Sequence, residues 1–264
     1  MNSQLFRASL FVAALLALPT QASDLKNVNE IVAKTNLGAF YAGKDISAQA
    51  RMKITDNQGR VQIRQFNVLR KDIEDGGDQQ FLISFSRPSD VKGMTFRVEK
   101  HVNTNDDRWL YLPALDLVKR ISSSDKRTSF VGSNFYYEDI SGRNITLDKF
   151  ELVNTTPTSY ILKATPIDPM SVEFSHYTVT IDKQMMLPMS IIYTDKRGNE
   201  YRKIEALKVV NIDGFNTVTS SKVTDLANNA STLMQFRGIK YDNNIPGSVF
   251  SERSLRNPPK KWFK

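Results

Sequence analysis

Along most of this chain, apolar residues recur at every second position. Ala48, Ala50, Met52 and Ile54 alternate with Gln49, Arg51, Lys53 and Thr55; Asp56-Asn57-Gln58-Gly59 interrupts the run, and Val61 and Ile63 resume it. Alternation gives a strand one apolar and one polar face, so this segment predicts a β-hairpin. The apolar phase then passes from Val61 and Ile63 to Phe66 and Val68, a change that a β-bulge near Arg64-Gln65 would produce. Further strands are expected at 79–86, 94–100, 108–112, 117–121, 145–152, 159–165, 174–182, 188–194, 200–212, 216–226 and 231–241. Asp195-Lys196-Arg197-Gly198-Asn199 and Asp213-Gly214 supply turn chemistry between them. No intervening helix is long enough for a crossover, so the fold class is mainly β, an antiparallel meander.

Three segments follow other rules. Leu25, Val28, Ile31, Val32 and Leu37 recur near a 3.6-residue period, with Ser23 or Asp24 as N-cap and Gly38 as the expected stop, which predicts one amphipathic helix. The tail from Ile245 through Phe250 has room for one short helix before Asn257-Pro258-Pro259. Pro258-Pro259-Lys260-Lys261 cannot form a closing strand, which argues against an outer-membrane barrel. Residues 1–22 combine Arg7, the apolar run Leu10 to Leu18 and the small terminal Ala22. That run is about half of the ~20 residues a spanning helix needs, so it reads as a cleavable signal peptide. The expected organisation is a leader at 1–22 and one domain at 23–264.

Composition narrows the chemistry. The 264 residues are 40% hydrophobic and 24% charged, with 10% aromatics, a profile of globular and not disordered chains. The absence of cysteine excludes disulfides, thiolate metal sites, a cysteine nucleophile and an acylated lipobox. Together with the leader it predicts an exported, unanchored protein, most economically placed in a bacterial periplasm. His101 and His176 are isolated, with no HExxH spacing, and no metal is expected. Ser133 lacks the second glycine of a nucleophile elbow. Asp106-Asp107 and Glu138-Asp139 are paired carboxylates that read as turn and loop charges. The chain is therefore expected not to be an enzyme. Its net charge of +8 offers Lys119-Arg120, Lys126-Arg127 and Lys260-Lys261 as phosphate contacts, yet export argues against nucleic acid. Weak attraction to anionic lipid head groups or an acidic protein fits better.

The most informative segment runs from Asp107 to Asp139. Trp109-Leu110-Tyr111-Leu112 is apolar on both faces, so both need covering. After Pro113-Ala114 and Leu117-Val118-Lys119-Arg120-Ile121, a polar loop leads to Phe130, Phe135, Tyr136 and Tyr137. A compact aromatic core would account for these rings. The segment also resembles the LolA-like outer-membrane lipoprotein-sorting proteins, in the branch with the signature WxYLPAL…KRI…SFxGSxFxYED. The resemblance extends to DNQGR at 56–60, RPSDVKG at 87–93, IDKQMMLPMSIIYTDKRGNEY and IPGSVFSERSL, in order, and so covers essentially residues 23–264. Asn134 departs from it, standing where the branch usually has Asp.

The resemblance implies a strongly curved, incomplete antiparallel β-barrel, with the helix and loops across its mouth and an apolar cavity inside. It implies a soluble carrier of lipoprotein acyl chains or other lipids through the periplasm, without covalent chemistry or cofactor. The cavity would be lined by Met52, Ile54, Phe66, Val68, Met94, Phe96, Trp109 and Tyr111, although Leu110 and Leu112 could take the inward side instead. The loop Ser122 to Phe130 would meet an acidic partner through Lys126 and Arg127 while Phe130 covers cargo, or it would be a passive surface loop. An alternative role is a non-catalytic accessory subunit of an RND-type inner-membrane exporter, beside an outer-membrane acceptor. No position matches the arginine that such carriers use near the mouth.

Overall fold

In the computed structural model, which describes Leu25 and residues 27–263, thirteen strands form one antiparallel sheet. The expected signal peptide, residues 1–22, lies outside the described residues. Helix α1 (Val28–Phe40) precedes β1 (Asp45–Thr55), β2 (Val61–Asp72), β3 (Gln79–Arg87), β4 (Thr95–Lys100), β5 (Asp107–Leu112) and β6 (Leu117–Ile121). The short helix α2 (Tyr137–Ser141) lies in the connection to β7 (Asp148–Thr155). The chain continues through β8 (Ser159–Pro166), β9 (Phe174–Asp182), β10 (Leu187–Asp195), β11 (Glu200–Ile212), β12 (Phe215–Asp225) and β13 (Ala230–Tyr241) to α3 (Arg253–Arg256). Sequential hairpins build a β1-to-β6 half and a β7-to-β13 half, and β1 pairs with β13 to join them. The sheet wraps around its apolar face without closing, leaving β6 and β7 as its edges.

Period-two patterning translates directly into this arrangement. Ala50, Met52 and Ile54 on β1 are buried, with Phe66 on β2, Val223 on β12 and Met234 on β13. Asp213-Gly214 turns β11 into β12 with both residues at positive φ, the geometry a two-residue hairpin favours. The phase change in β2 has another cause than the expected bulge. Pairing of β1 with β2 is unbroken from Asp45↔Lys71 to Thr55↔Val61, so Val61 and Ile63 point outward and Arg64 lies on the inner side, 3.3 Å from Asp90. The register irregularity falls instead between β2 and β3, at Gln65/Phe66. Strand β7 begins at Asp148, after a 3-10 turn over Ile145–Leu147.

Helix α1 starts from Asn27, whose side chain accepts from the Asn29 N–H, and not from Ser23 or Asp24. It also runs through Gly38 to Phe40. A Cβ on Gly38 would stand 3.0 Å from the Met186 carbonyl oxygen, so this glycine permits close approach to the β9–β10 turn and does not end the helix. Ile31 and Val32 pack onto Leu162, Phe174 and Val179. On the convex side, the tail forms a 3-10 turn (Gly247–Phe250) and α3. Ile245, Val249 and Phe250 there cover Leu69 and Leu82, strapping the tail across β2 and β3.

Candidate binding cavity

The segment between the two sheet edges, residues 122–147, folds back into the barrel. Phe130 N–H donates to the Phe135 carbonyl at 2.7 Å, with Val131 and Gly132 at positive φ in the tight turn between them. Asn134 fixes the turn to β13: its backbone N–H donates to Thr232 Oγ1 at 3.0 Å, and its side-chain oxygen accepts from that hydroxyl at 2.9 Å. The residue departing from the family signature thus has a specific partner. Phe130, fully buried, lies 5.3 to 6.4 Å from the rings of Phe66, Phe85, Phe96 and Tyr137. This plug fills the interior of the β1-to-β6 half.

Beside the plug a cavity of about 430 Å³ remains, within the ~300–1,000 Å³ common for small-molecule sites. Phe66, Val68, Ile83 and Phe135 form one wall, Leu162, Tyr177, Val179 and Tyr193 another, and Val32, Thr35 and Ala39 of α1 pass over it. Gly142, at φ +78, also borders it, and a Cβ there would strike the Phe40 ring at 2.6 Å. Polar groups sit at the margins: Asp139 and Arg143, and separately Arg70, Thr217 and Tyr241. The Arg70 guanidinium donates to the carbonyls of Phe40, Ala42 and Gly43, holding the end of α1 against the wall. Thr217 Oγ1 and the Tyr241 hydroxyl are 2.7 Å apart.

Comparison with known proteins gives this shape its family. A family model described as "Uncharacterized protein" matches residues 77–257, more than half of the chain. A DUF1329 family protein from Desulfovibrio piger is 29% identical, with a TM-score of 0.78 over 86% of this chain and 97% of that one. The chain belongs to the family that this model describes. An outer membrane lipoprotein-sorting protein domain from Vibrio parahaemolyticus gives a TM-score of 0.79 at 24% identity, over 86% of this chain and 97% of that one. A LolA superfamily protein from Nitrosomonas europaea gives 0.67 at 16%, over 86% and 98%. At these identities the last two establish the fold. No curated protein sequence matches significantly.

Within this LolA-like frame the expected site residues separate into groups. Phe66 and Val68 face the cavity. Met52, Ile54 and Phe96 are buried in the plugged half, and Met94 packs against it; none of the four borders the cavity. Trp109 and Tyr111 point the other way. Leu110 is the buried apolar residue of β5, opposite Phe96, and Leu112 packs with it. Trp109 lies under the Arg97 guanidinium, 4.6 Å from the ring centre, while the Tyr111 hydroxyl reaches Asp116 at 3.2 Å and Arg256 stands over its ring. Both faces of β5 are apolar because the C-terminal segment covers the outer one.

The loop charges are clamps and not free docking groups. Arg127 is only 6% exposed at its side chain; it holds Glu173 with two hydrogen bonds of 2.8 Å and Glu138 with one of 2.7 Å. Its guanidinium stacks among the rings of Tyr136, Phe174 and Tyr193. Lys126 is 3.5 Å from Glu138. Glu138 also meets Arg143, which grips Asp148, and Asp148 accepts from the Tyr177 hydroxyl at 2.7 Å. Asp139 pairs with Arg202, which stacks on Tyr136. Glu138-Asp139 is therefore a buried ion-pair centre and not a loop pair. Burial favours the neutral acid at Glu138, yet Arg127, Arg143 and Lys126 hold its pKa below the ordinary glutamate value. Sequence separation hid this centre, since Arg127 and Glu173 are 46 positions apart.

Among the described residues, Glu99, His101 and Asp107 bring possible metal-ligand atoms within 4.8 Å of one another. Each already has a partner: Glu99 pairs with Arg97, Asp107 with Arg120, and His101 Nδ1 lies 2.9 Å from Asp78. This is an ion-pair network at the end of β4. It sits outside the cavity lining.

Proposed function

We propose that the chain is exported to the periplasm, loses residues 1–22 and acts from 23–264 as a single carrier domain for lipoprotein acyl chains or other lipids on their way to the outer membrane. The observation that carries this reading is the cavity under α1, walled mainly by aliphatic and aromatic side chains. Burying methylenes is worth ~0.8 kcal/mol each, so a chain of about 14 carbons would bind with on the order of 10 kcal/mol before ordering costs. No catalytic step is needed. Binding this strong makes spontaneous release slow, so handover needs an acceptor offering a better site. Extraction of purified protein followed by mass spectrometry tests the proposal. Stoichiometric lipid is expected, and protein that neither co-purifies with lipid nor takes up added lipid would overturn it. N-terminal sequencing of periplasmic extract should begin at Ser23.

A second reading has its own support. The plug centred on Phe130 fills half the barrel, as suits a binding subunit beside an RND-type transporter better than a lipid shuttle. Such a protein would retain no lipid and would instead co-purify with an inner-membrane complex.

A further inference from the structure

The outer face of the sheet where β1, β13 and β12 meet has a charge pattern that the cavity does not explain. With Ala50, Met52, Met234 and Phe236 turned inward, the register turns Arg51, Lys53, Arg237 and Lys240 outward, and Lys222 with them. Arg51 is held by Gln235 at 3.4 Å and Arg237 by Gln49 at 3.0 Å, so two guanidiniums are positioned by neutral amides and not by carboxylates. Among the described residues none of these five cations has a carboxylate within ion-pair distance. Glu205, opposite Lys222 at the border, is engaged by Lys203 at 2.7 Å. Elsewhere on this face the outward positions include Ser47, Thr55, Asn67, Ser220 and Thr224, with half-buried Leu233 between Lys53 and Lys222. Exposed Val61 and Ile63 stand at its β2 rim.

We propose that this face docks on an anionic phospholipid bilayer. Five uncompensated cations spread over adjacent strands match a surface of distributed negative charge. The face also lacks the aromatic anchor and desolvated pocket on which a specific protein interface concentrates its energy. Val61 and Ile63 can enter the head-group layer without becoming a span. The docking does not depend on which cargo fills the cavity. It would bring a carrier to the membrane electrostatically and let salt release it.

Co-sedimentation tests this with vesicles of equimolar phosphatidylglycerol and phosphatidylcholine, against phosphatidylcholine alone, at low and high salt. Wild-type protein should bind the anionic vesicles at low salt and neither vesicle at high salt. The triple variant R51Q/K53Q/R237Q should lose roughly a hundredfold in partitioning, about fivefold for each cation neutralised. A control variant, K119Q/K149Q/K260Q, removes the same charge from elsewhere and should stay within a few-fold of wild type. Equal losses in both variants would reduce the effect to net charge and overturn the proposal. So would absence of wild-type binding, which would leave the face to an acidic protein. Lipid content measured on the same preparations keeps this outcome separate from failure of the carrier reading.

Discussion

Glu138 is the residue on which the interior charges converge, and its replacement has a definite sign. Glu138→Gln leaves Arg127 and Arg143 buried with fewer counter-charges, and breaking a buried pair costs about 3–5 kcal/mol. Urea unfolding should register that loss near neutral pH. The pKa of Glu138 is held below its unfolded value, so its stabilisation is present above the ordinary glutamate range and fades as pH falls through the lowered folded value. The variant's acid limb should be flatter than that of wild type. Lys100 gives a slope of the same sign at higher pH, from a different cause. Burial pushes it down to about 8 from 10.5, while its ammonium donates to the Ser141 carbonyl. The unfolded chain then binds more protons than the native one between these values, so stability should rise with pH across that window. Lys100→Met should remove this rise, measured as the pH dependence of the urea midpoint.

Among the elements, the plug is the most consequential. Phe130→Ala should cost about 3–5 kcal/mol in chemical denaturation, because the surrounding rings belong to different strands and cannot all collapse inward. If the chain carries lipid, the added space next to Phe66 should also shift co-purified acyl chains to greater length. The strands were legible from sequence because period-two alternation and turn chemistry are local signals, and every expected strand has a counterpart in the sheet. Inward and outward sides were legible on β1, where polar and apolar residues alternate cleanly. They were not on β5, where Trp109 and Leu110 are equally apolar and the cover supplied by Phe250 and α3 lies far along the chain. Gly38 misled for a related reason: its lack of a side chain serves a neighbour, Met186, and not its own helix. The charges from Lys126 to Asp139 looked solvent-facing because their partners Arg143, Glu173 and Arg202 come later in sequence.

For the whole molecule, the sheet separates an aromatic interior from a basic exterior, and this gives the two tryptophans a common setting. Trp109 lies outside β5 and Trp262 packs on the convex cluster of Leu69 and Leu82. A brominated fatty acid that fills the cavity should leave tryptophan fluorescence nearly unquenched, while Tyr177 and Tyr193, in the cavity wall, change their emission. Strong tryptophan quenching would place the ligand elsewhere. The joining of β1 to β13 also bears on how the chain acquires its shape. Each half is a run of local hairpins that can form early, but the seam brings together residues such as Asp45 and Ile245, 200 positions apart. That closure spans the longest loop, so it is expected to form last. Until β13 arrives, β1 and β12 are bare edges able to pair with other chains. A molecule crossing a membrane unfolded, N-terminus first, would hold β1 open for the whole crossing, and its hazard of aggregation is greatest just before its last strand emerges.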